Sequence, residues 1–234
     1  MGAITVPRKK WRALLVLAMS ILMVYAVSVY QHRLVRRVAP KTLLAACIVD
    51  NARVQIGTHY DGTYHVIVYP SGDLPRDRGA CTDVVIRAAR GAGMDLQQFV
   101  HEDMAMNRAL YPRYRSKELD TNIDHRRVPN LACYLSRHTL VLTRDTSASA
   151  LAEWQPGDIV CWKTIFGRDH IGVISDGLDP GGVPFVIHSE YGGVEENCLT
   201  RWKILGHYRF VTEIRSTNSP GPTNPDKKPG AMSR

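Results

Sequence analysis

In the first two thirds of the chain, apolar positions recur every three or four residues, the spacing of one face of an α-helix. This pattern covers 42–56, 81–89 and 96–110, and it returns around Leu131 after a polar stretch. A glycine or a proline follows each of the three segments. The pattern therefore predicts helices at these places, with Cys81 at or just before the first turn of one of them.

From residue 159 onwards the pattern changes to short β-rich runs, separated by connectors rich in glycine and proline. Runs that lie this close together pair antiparallel. Helices followed by a meander of strands predict an α+β domain, in which N-terminal helices pack on a small antiparallel sheet. The runs are 159–162, 170–175, 185–189 and 207–214, and an earlier β-rich run lies at 64–69.

The N-terminal part of the chain has the pattern of a membrane segment. Residues 13–30 are eighteen consecutive uncharged positions with basic residues on both sides. At about 1.5 Å per residue this stretch just spans a ~30 Å hydrocarbon core, and it is longer than the apolar part of a usual cleaved signal. We therefore expect residues 1–41 to be a signal anchor or a signal peptide.

Most of the basic charge lies in the two tails. Residues 1–41 hold eight basic residues and no acid, and 216–234 hold three basic residues and one acid. The remaining stretch, 42–215, carries 19 basic and 21 acidic residues, and we expect it to be one globular domain. A slightly acidic domain lacks a phosphate-neutralising surface, so nucleic acid is not an expected partner. The tail 216–234 is rich in Pro, Ser, Asn and Lys and is expected to be disordered.

Five cysteines occur in the chain, an odd number that leaves at least one thiol unpaired in an exported protein. The pairing of Cys47, Cys133, Cys161 and Cys198 stays open. The sequence holds no CxxC motif and no Cys/His cluster with the spacing of a zinc site. It therefore predicts no metal and no cofactor.

Two histidines stand at matching ends of neighbouring β-rich runs. His170 opens one run and His188 lies near the end of the next, so a hairpin would bring them side by side. The strand period of two puts both imidazoles on one face, and the small Gly172 leaves room there. We expect the helix that begins at Cys81 to lie on that face, with amides at its N-terminus lowering the pKa of the thiol. His170 would then serve as the base and His188 would orient it.

Several short segments, taken in order, resemble the NlpC-like cell-wall cysteine peptidases, a branch of the papain-like clan that includes the CHAP amidases. The resemblance runs from about Tyr69 to Phe210. It implies a papain-like fold in which Cys81 is the nucleophile, His170 the base and His188 the orienting residue. The segments are 79–83 (GACTD), 157–160 (GDIV), 170–174 (HIGVI) and 186–189 (VIHS), and those at 81–87 and 122–131 are similar to an uncharacterised bacterial domain family of the same clan.

Further candidate residues surround the expected nucleophile. The resemblance implies a tyrosine ahead of the nucleophile, near the oxyanion, and Tyr69 is its match. Asp83 suits the helix dipole but would oppose thiolate formation near the sulfur; it either binds a substrate amine or holds Arg87. His125 and Arg126, in the polar stretch 120–129, either contact an anionic group of the substrate or form a structural salt-bridge loop.

Resemblance and predicted export together imply a thiol peptidase or amidase that attacks an amide bond of peptidoglycan peptides and forms an acyl-enzyme. Such an enzyme would face the periplasm from the inner membrane, held by residues 13–30, or would be secreted to the periplasm. Two alternatives remain: an acyltransferase on the same fold, and a non-catalytic binding module of the cell envelope. The joint presence of Cys81, His170 and His188 favours an enzyme, because a binding module has no need for all three.

Overall fold

The structure, a computed structural model, describes residues 11, 14–24, 35–112 and 118–211. Residues 14–24 are helical and exposed. Within the described ranges, no helix combines the length and the apolar character needed to cross a membrane. The remainder of the predicted anchor, at 13 and 25–30, lies outside the described residues, as does the predicted tail.

The helices predicted from apolar spacing are confirmed. The side chain of Thr42 caps the first by accepting a hydrogen bond from the amide of Ala45 at 3.0 Å, and Asp95 caps the third by accepting from Gln97 at 3.1 Å. A short 3₁₀ turn continues the third helix up to Leu110. The bounds are Leu43–Arg53 for α1, Cys81–Gly91 for α2, Leu96–Asn107 for α3 and Val128–His138 for α4.

An antiparallel sheet occupies the second half of the domain, as the β-rich runs predicted. Its strands are β4 (Leu140–Val141), β5 (Ile159–Lys163), β6 (Asp169–Leu178), β7 (Pro184–Ser189), β8 (Gly193–Glu196) and β9 (Lys203–Arg209), with β1 (Arg36–Arg37) added from the N-terminal side. The order is β4-β9-β5-β6-β7-β8, and β1 pairs with the far end of β6. Two short strands, β2 (His59–Tyr60) and β3 (Arg78–Gly79), form a separate parallel pair.

Parts of the sheet differ from the sequence prediction. The last strand begins at Lys203, before the predicted start, because Lys203 and Ile204 continue the pairing with β5 beyond a β-bulge next to Gly206. The polar sequence of β8 gives no strand signal. The run 64–69 lies outside the strands; the amide of Ile67 donates to the side chain of Asn122 at 2.9 Å instead.

Both faces of the sheet are buried. On one face, α2 and α4 pack against Ile171, Val173 and Ile187. The helix α2 is buried along most of its length, since alanines on its packed face let it approach the sheet and α1 closely. The opposite, outer face carries a second apolar cluster, made of Trp154, Val160, Trp162, Ile174, Val186, Cys198 and Leu199.

A buried carboxylate joins the turn before β5 to β9. Asp158 accepts from Nε2 of His207 at 2.8 Å and from Nε and Nη2 of Arg209 at 2.6 and 2.7 Å. The indole of Trp154 stacks on His207 with ring centroids 3.7 Å apart. This network holds the predicted Gly157-Asp158 turn against the last strand.

Replacing Asp158 with Ala should therefore destabilise the domain strongly. It leaves Arg209 without its carboxylate and His207 without a partner at Nε2, and loss of one member of a buried pair costs about 3–5 kcal/mol. Urea unfolding measures the change. Asp50, an exposed carboxylate on α1, is the matched control, and Asp50→Ala should change stability by only about 0.5 kcal/mol. Equal losses in the two variants would contradict the structural role of Asp158.

Candidate active site

The expected nucleophile lies where β3 leads into α2. Cys81 is the first residue of α2, and Ala80 precedes it with an extended backbone. Glycine fits best at position 79, because a Cβ there would lie 3.0 Å from the Cβ of Asp83 and would push that side chain aside. The cysteine is 8% exposed, so its thiol sits almost completely inside the protein.

The surroundings of Cys81 keep its thiol protonated. Burial raises the pKa of Cys81 to about 12, and hydrogen bonds from the backbone amides of Ile171 and Thr82 counter the rise only in part. The nearby carboxylate of Asp83 raises the pKa further. The amides at the start of α2 act in the expected direction, but the expected net lowering of the pKa is wrong, because desolvation outweighs the amide contacts. The Ile171 contact also puts the sulfur next to β6, one residue along from His170.

The predicted hairpin of β6 and β7 is confirmed, and it brings the two histidines together. Gly172 pairs with His188 and Ile174 with Val186, so His170 lies diagonally across from His188. Nε2 of His170 is 2.9 Å from Nδ1 of His188. A Cβ at Gly172 would come within 3.1 Å of the Cβ of His188 and 2.8 Å of Cγ1 of Val186, so this register requires glycine.

A carboxylate continues the hydrogen-bonded chain beyond His188. Nε2 of His188 lies 3.0 Å from Oε1 of Glu196. Arg201 binds the same carboxylate with both Nη atoms, at 2.6 and 2.8 Å, and this contact lowers the pKa of Glu196. An ionised carboxylate only accepts hydrogen bonds, so the proton of this contact must be on Nε2 of His188.

This constraint fixes the proton positions of both imidazoles. Burial lowers the pKa of His170 to about 3 and also lowers the pKa of His188, so both rings are neutral and carry one N–H each. With its proton on Nε2, His188 accepts at Nδ1 from Nε2–H of His170. The hydrogen-bond network therefore leaves Nδ1 of His170 unprotonated, as the basic atom of the pair.

Both imidazoles point to the outer face of the sheet, away from α2. They contact Trp162 and Trp202, with ring centroids 5.7 and 5.3 Å from that of His170. The expectation that α2 lies on the histidine face is wrong, because the alternate residues of β6 and β7, such as Ile171, are the ones that pack against the helices. Cys81 instead contacts the sheet near the first residues of β6, which precede the pairing with β7. There the backbone amide of Ile171 donates a hydrogen bond to the thiol.

Two of the predicted substrate contacts, Asp83 and Arg126, bind each other. Nε and Nη2 of Arg126 lie 3.0 and 2.9 Å from the two carboxylate oxygens of Asp83, and both side chains are buried. Arg126 also donates to the carbonyls of Asp61 and Thr63, and Asp83 accepts from the amide of Ala80 at 2.6 Å. The salt-bridge alternative for the polar loop is therefore the one present in the structure, and it ties this loop to the start of α2. The predicted partner of Asp83 was wrong, because Arg87 binds Asp73 instead.

The remaining predicted contacts lie apart from the histidine chain. His125 is buried in a 3₁₀ turn, and burial lowers its pKa to about 4. Tyr69 packs edge-on against His101 of α3, with ring centroids 5.1 Å apart. Another tyrosine, Tyr60, is the neighbour of the nucleophile: burial raises the pKa of its phenol, and a thiolate at Cys81 raises it further.

Sequence reasoning missed Glu196, Arg201 and Tyr60. Glu196 shares a face of β8 with Val194, which pairs directly with His188, so alternation along a recognised β8 would have found it. Tyr60 reaches the site only because β2 pairs with Gly79 of β3, and no local pattern signals a parallel pair this short.

The chain belongs to a protein family described as a domain of unknown function (DUF1287), whose profile matches residues 49–210. A relative from Escherichia coli strain K12, named "Uncharacterized protein YijF", is 51% identical over 170 residues, which are 71% of this chain and 82% of the relative.

Solved structures with a similar fold include NlpC1 from Trichomonas vaginalis, at 11% identity and a TM-score of 0.42, over 76% of this chain and 48% of that one. The chain thus spans about half of that protein. An N-acetylmuramoyl-L-alanine amidase from Bacteroides uniformis ATCC 8492 matches at 13% identity and a TM-score of 0.45, over 73% of this chain and 100% of the amidase. At such low identities and TM-scores, neither likeness bears on activity, substrate or partner.

Replacing Arg126 with Met should destabilise the protein by about 3–5 kcal/mol in urea unfolding, because the Asp83 carboxylate is left buried and unpaired. The double replacement Asp83→Leu with Arg126→Met should recover part of that loss, since no isolated charge remains. Arg78, which pairs with Asp77 at the surface, is the control: Arg78→Met should lose at most about 1 kcal/mol. A loss for Arg126→Met no larger than that of the control would contradict the role given to the pair.

Proposed function

We propose that this protein is a thiol hydrolase that cleaves an amide bond, with Cys81, His170 and His188 as its catalytic residues. The observation that carries the proposal is the hydrogen-bonded chain from His170 through His188 to Glu196. It holds two buried imidazoles in one tautomeric arrangement and leaves Nδ1 of His170 unprotonated and free to accept a proton. A nucleophile of this kind needs a base that a third group orients, and the Ile171 amide contact brings the Cys81 thiol to the same end of β6.

Because the resting pair is a neutral thiol and a neutral imidazole, the base acts during the attack. In the proposed attack, Cys81 and His170 meet around the end of β6, and Nδ1 of His170 accepts the thiol proton as the sulfur of Cys81 adds to the amide carbonyl carbon. The imidazolium then passes this proton to the leaving amine, and the C–N bond breaks to give a thioester at Cys81. Water, deprotonated by the same nitrogen, hydrolyses the thioester and restores the thiol.

The negative oxygen of the tetrahedral intermediate forms beside the N-terminus of α2. The backbone amide of Cys81 is one donor at this place, because it lies at the first turn of α2. The hydroxyl of Tyr60 is the second, in place of Tyr69, because Tyr60 is the tyrosine that interacts with Cys81. Asp83 and Arg126 support this region by fixing the start of α2 and do not contact substrate.

Peptidoglycan peptides are the proposed substrates, and the proposed fold is the papain-like fold of the NlpC-like peptidases. The segments around Cys81, His170 and His188 resemble that clan, and the uncharged stretch 13–30 fits an exported, membrane-anchored or periplasmic enzyme. The cell wall is the amide-rich polymer that such an enzyme meets.

Digestion of purified peptidoglycan tests the activity. The wild-type chain should release peptide fragments, and Cys81→Ala should reduce their rate of release by a factor on the order of 10⁴ or more, because no nucleophile remains. His170→Ala should reduce it by about 10²–10⁴, the usual contribution of a general base. Mass spectrometry of the products identifies the bond and separates hydrolysis from acyl transfer to an amine or alcohol.

Cys47, an exposed thiol on α1, provides the matched control for that digestion, and Cys47→Ala should digest at the wild-type rate. Digestion that persists unchanged in Cys81→Ala would exclude the proposed nucleophile. A wild-type chain that binds peptidoglycan without releasing or transferring any group would contradict the proposed activity and favour the non-catalytic binding module.

The protonation state of the resting thiol gives a pH prediction. Since the pKa of Cys81 is raised to about 12, its thiolate fraction at neutral pH is far below that of a free thiol. Alkylation of Cys81 by iodoacetamide should be slow at pH 7 and should rise about tenfold per pH unit beyond pH 9, whereas the rate for a cysteine in a short unstructured peptide levels off above its pKa of about 8.5. Peptide mass spectrometry follows Cys81 separately from the other thiols. A rate that is already constant near neutral pH would show a thiolate–imidazolium pair and contradict the neutral resting state.

A further inference from the structure

A second cluster of potential ligands shares one member with the proposed catalytic chain. A ring nitrogen of His188, a carboxylate oxygen of Glu196 and the sulfur of Cys198 all lie within 4.8 Å of one another. His188 and Cys198 are buried, whereas the side chain of Glu196 is 38% exposed and opens the cluster to solvent. All five cysteines lie in the described ranges and all are free, so Cys198 is available as a thiol.

These three groups have the chemistry of a zinc site. Imidazole nitrogen, thiolate sulfur and carboxylate oxygen are the zinc ligands found in proteins, and three of them plus one water complete a tetrahedron. Ligands of one tetrahedral zinc ion lie roughly 3.3–3.8 Å apart, so binding requires each separation to change by at most about 1 Å. No such site is visible in the sequence, because the three residues reach one another only through the pairing of β7 with β8.

We propose that His188, Glu196 and Cys198 form a regulatory site for Zn²⁺, and that the bound ion switches the enzyme off by reversing the tautomers of the histidine pair. The proposed inhibition by zinc rests on the proposed function, whereas the proposed metal site does not.

The proton balance explains the switch. Zinc takes Nε2 of His188, where the proton now lies, because Nδ1 faces His170. The neutral ring of His188 then carries its proton on Nδ1 and donates it to Nε2 of His170. His170 in turn carries its own proton on Nδ1, the atom that must accept the proton of Cys81. The two rings keep two protons in total, and the single proton released to solvent comes from the Cys198 thiol.

Arg201 opposes the metal. Its guanidinium binds both oxygens of Glu196, so an incoming ion must share this carboxylate with a fixed positive charge. Zinc binding is therefore reversible, and removing the guanidinium should strengthen it. Arg201→Ala should lower the dissociation constant for zinc about tenfold, an effect that a metal bound elsewhere would not show.

Cobalt absorption tests the site without any enzyme assay. Co²⁺ added to the full chain should give the near-ultraviolet charge-transfer band of a thiolate-bound ion, and Zn²⁺ should displace it. Cys81→Ser and the exposed-thiol control Cys47→Ser should keep the band, and Cys198→Ser should lose it. Because Cys198 is buried and its variant could unfold, Glu196→Gln at the accessible edge is a second test and should weaken binding at least tenfold. Absence of the band in the wild-type chain, or its loss in Cys81→Ser rather than Cys198→Ser, would overturn the site.

Peptidoglycan digestion tests the switch. Zn²⁺ should inhibit the wild-type enzyme at the concentration that displaces Co²⁺, and the activity that remains in Cys198→Ser should not respond to it. Metal binding without inhibition would overturn the proposed switch, whereas the proposed metal site would stand. A chain that binds cobalt through Cys198 but digests nothing would instead count against the proposed hydrolase.

Discussion

The pairing register of β6 with β7 is the constraint on which the site depends. It sets Gly172 against His188 and puts His170 on the diagonal, at hydrogen-bonding distance. Strand side chains alternate between faces, so a shift of one residue would send one imidazole to the helix side and break the chain. The hydrogen bonds from His170 to Glu196 therefore follow from backbone pairing, and a methyl group at Gly172 would already disturb them.

A second constraint holds the nucleophile. The buried ion pair of Asp83 and Arg126 fixes the start of α2. Arg126 in turn donates hydrogen bonds to two backbone carbonyls. Burying these charges is unfavourable unless every hydrogen bond is made, and here the carboxylate and the guanidinium satisfy each other. The interior that results is apolar enough to keep both thiol and imidazole neutral, which couples the stability of the loop to the reactivity of the cysteine.

Local periodicity was enough to predict the helices, the hairpin and the meeting of His170 with His188. It also showed that the histidines share a face, but it could not tell which face receives α2, because both faces of this sheet are buried. Glu196 could not be found in the same way: β8 is polar, and its role depends on pairing with β7. The prediction chose Tyr69 and missed Tyr60, because the parallel strands that place Tyr60 beside Gly79 are only two residues long and give no sequence signal.

The proposed catalytic residues extend from the protein interior to its surface. The thiol is sealed between helix and sheet, whereas the last carboxylate of the chain sits at the surface on the other side of the sheet, among the indole of Trp202 and the guanidinium of Arg201. A small cationic compound bound there would compete with Arg201 for Glu196 without occupying the position of Cys81 on the opposite face of the sheet. An inhibitor of that kind would lower turnover without competing with the substrate, and abundant substrate would not displace it.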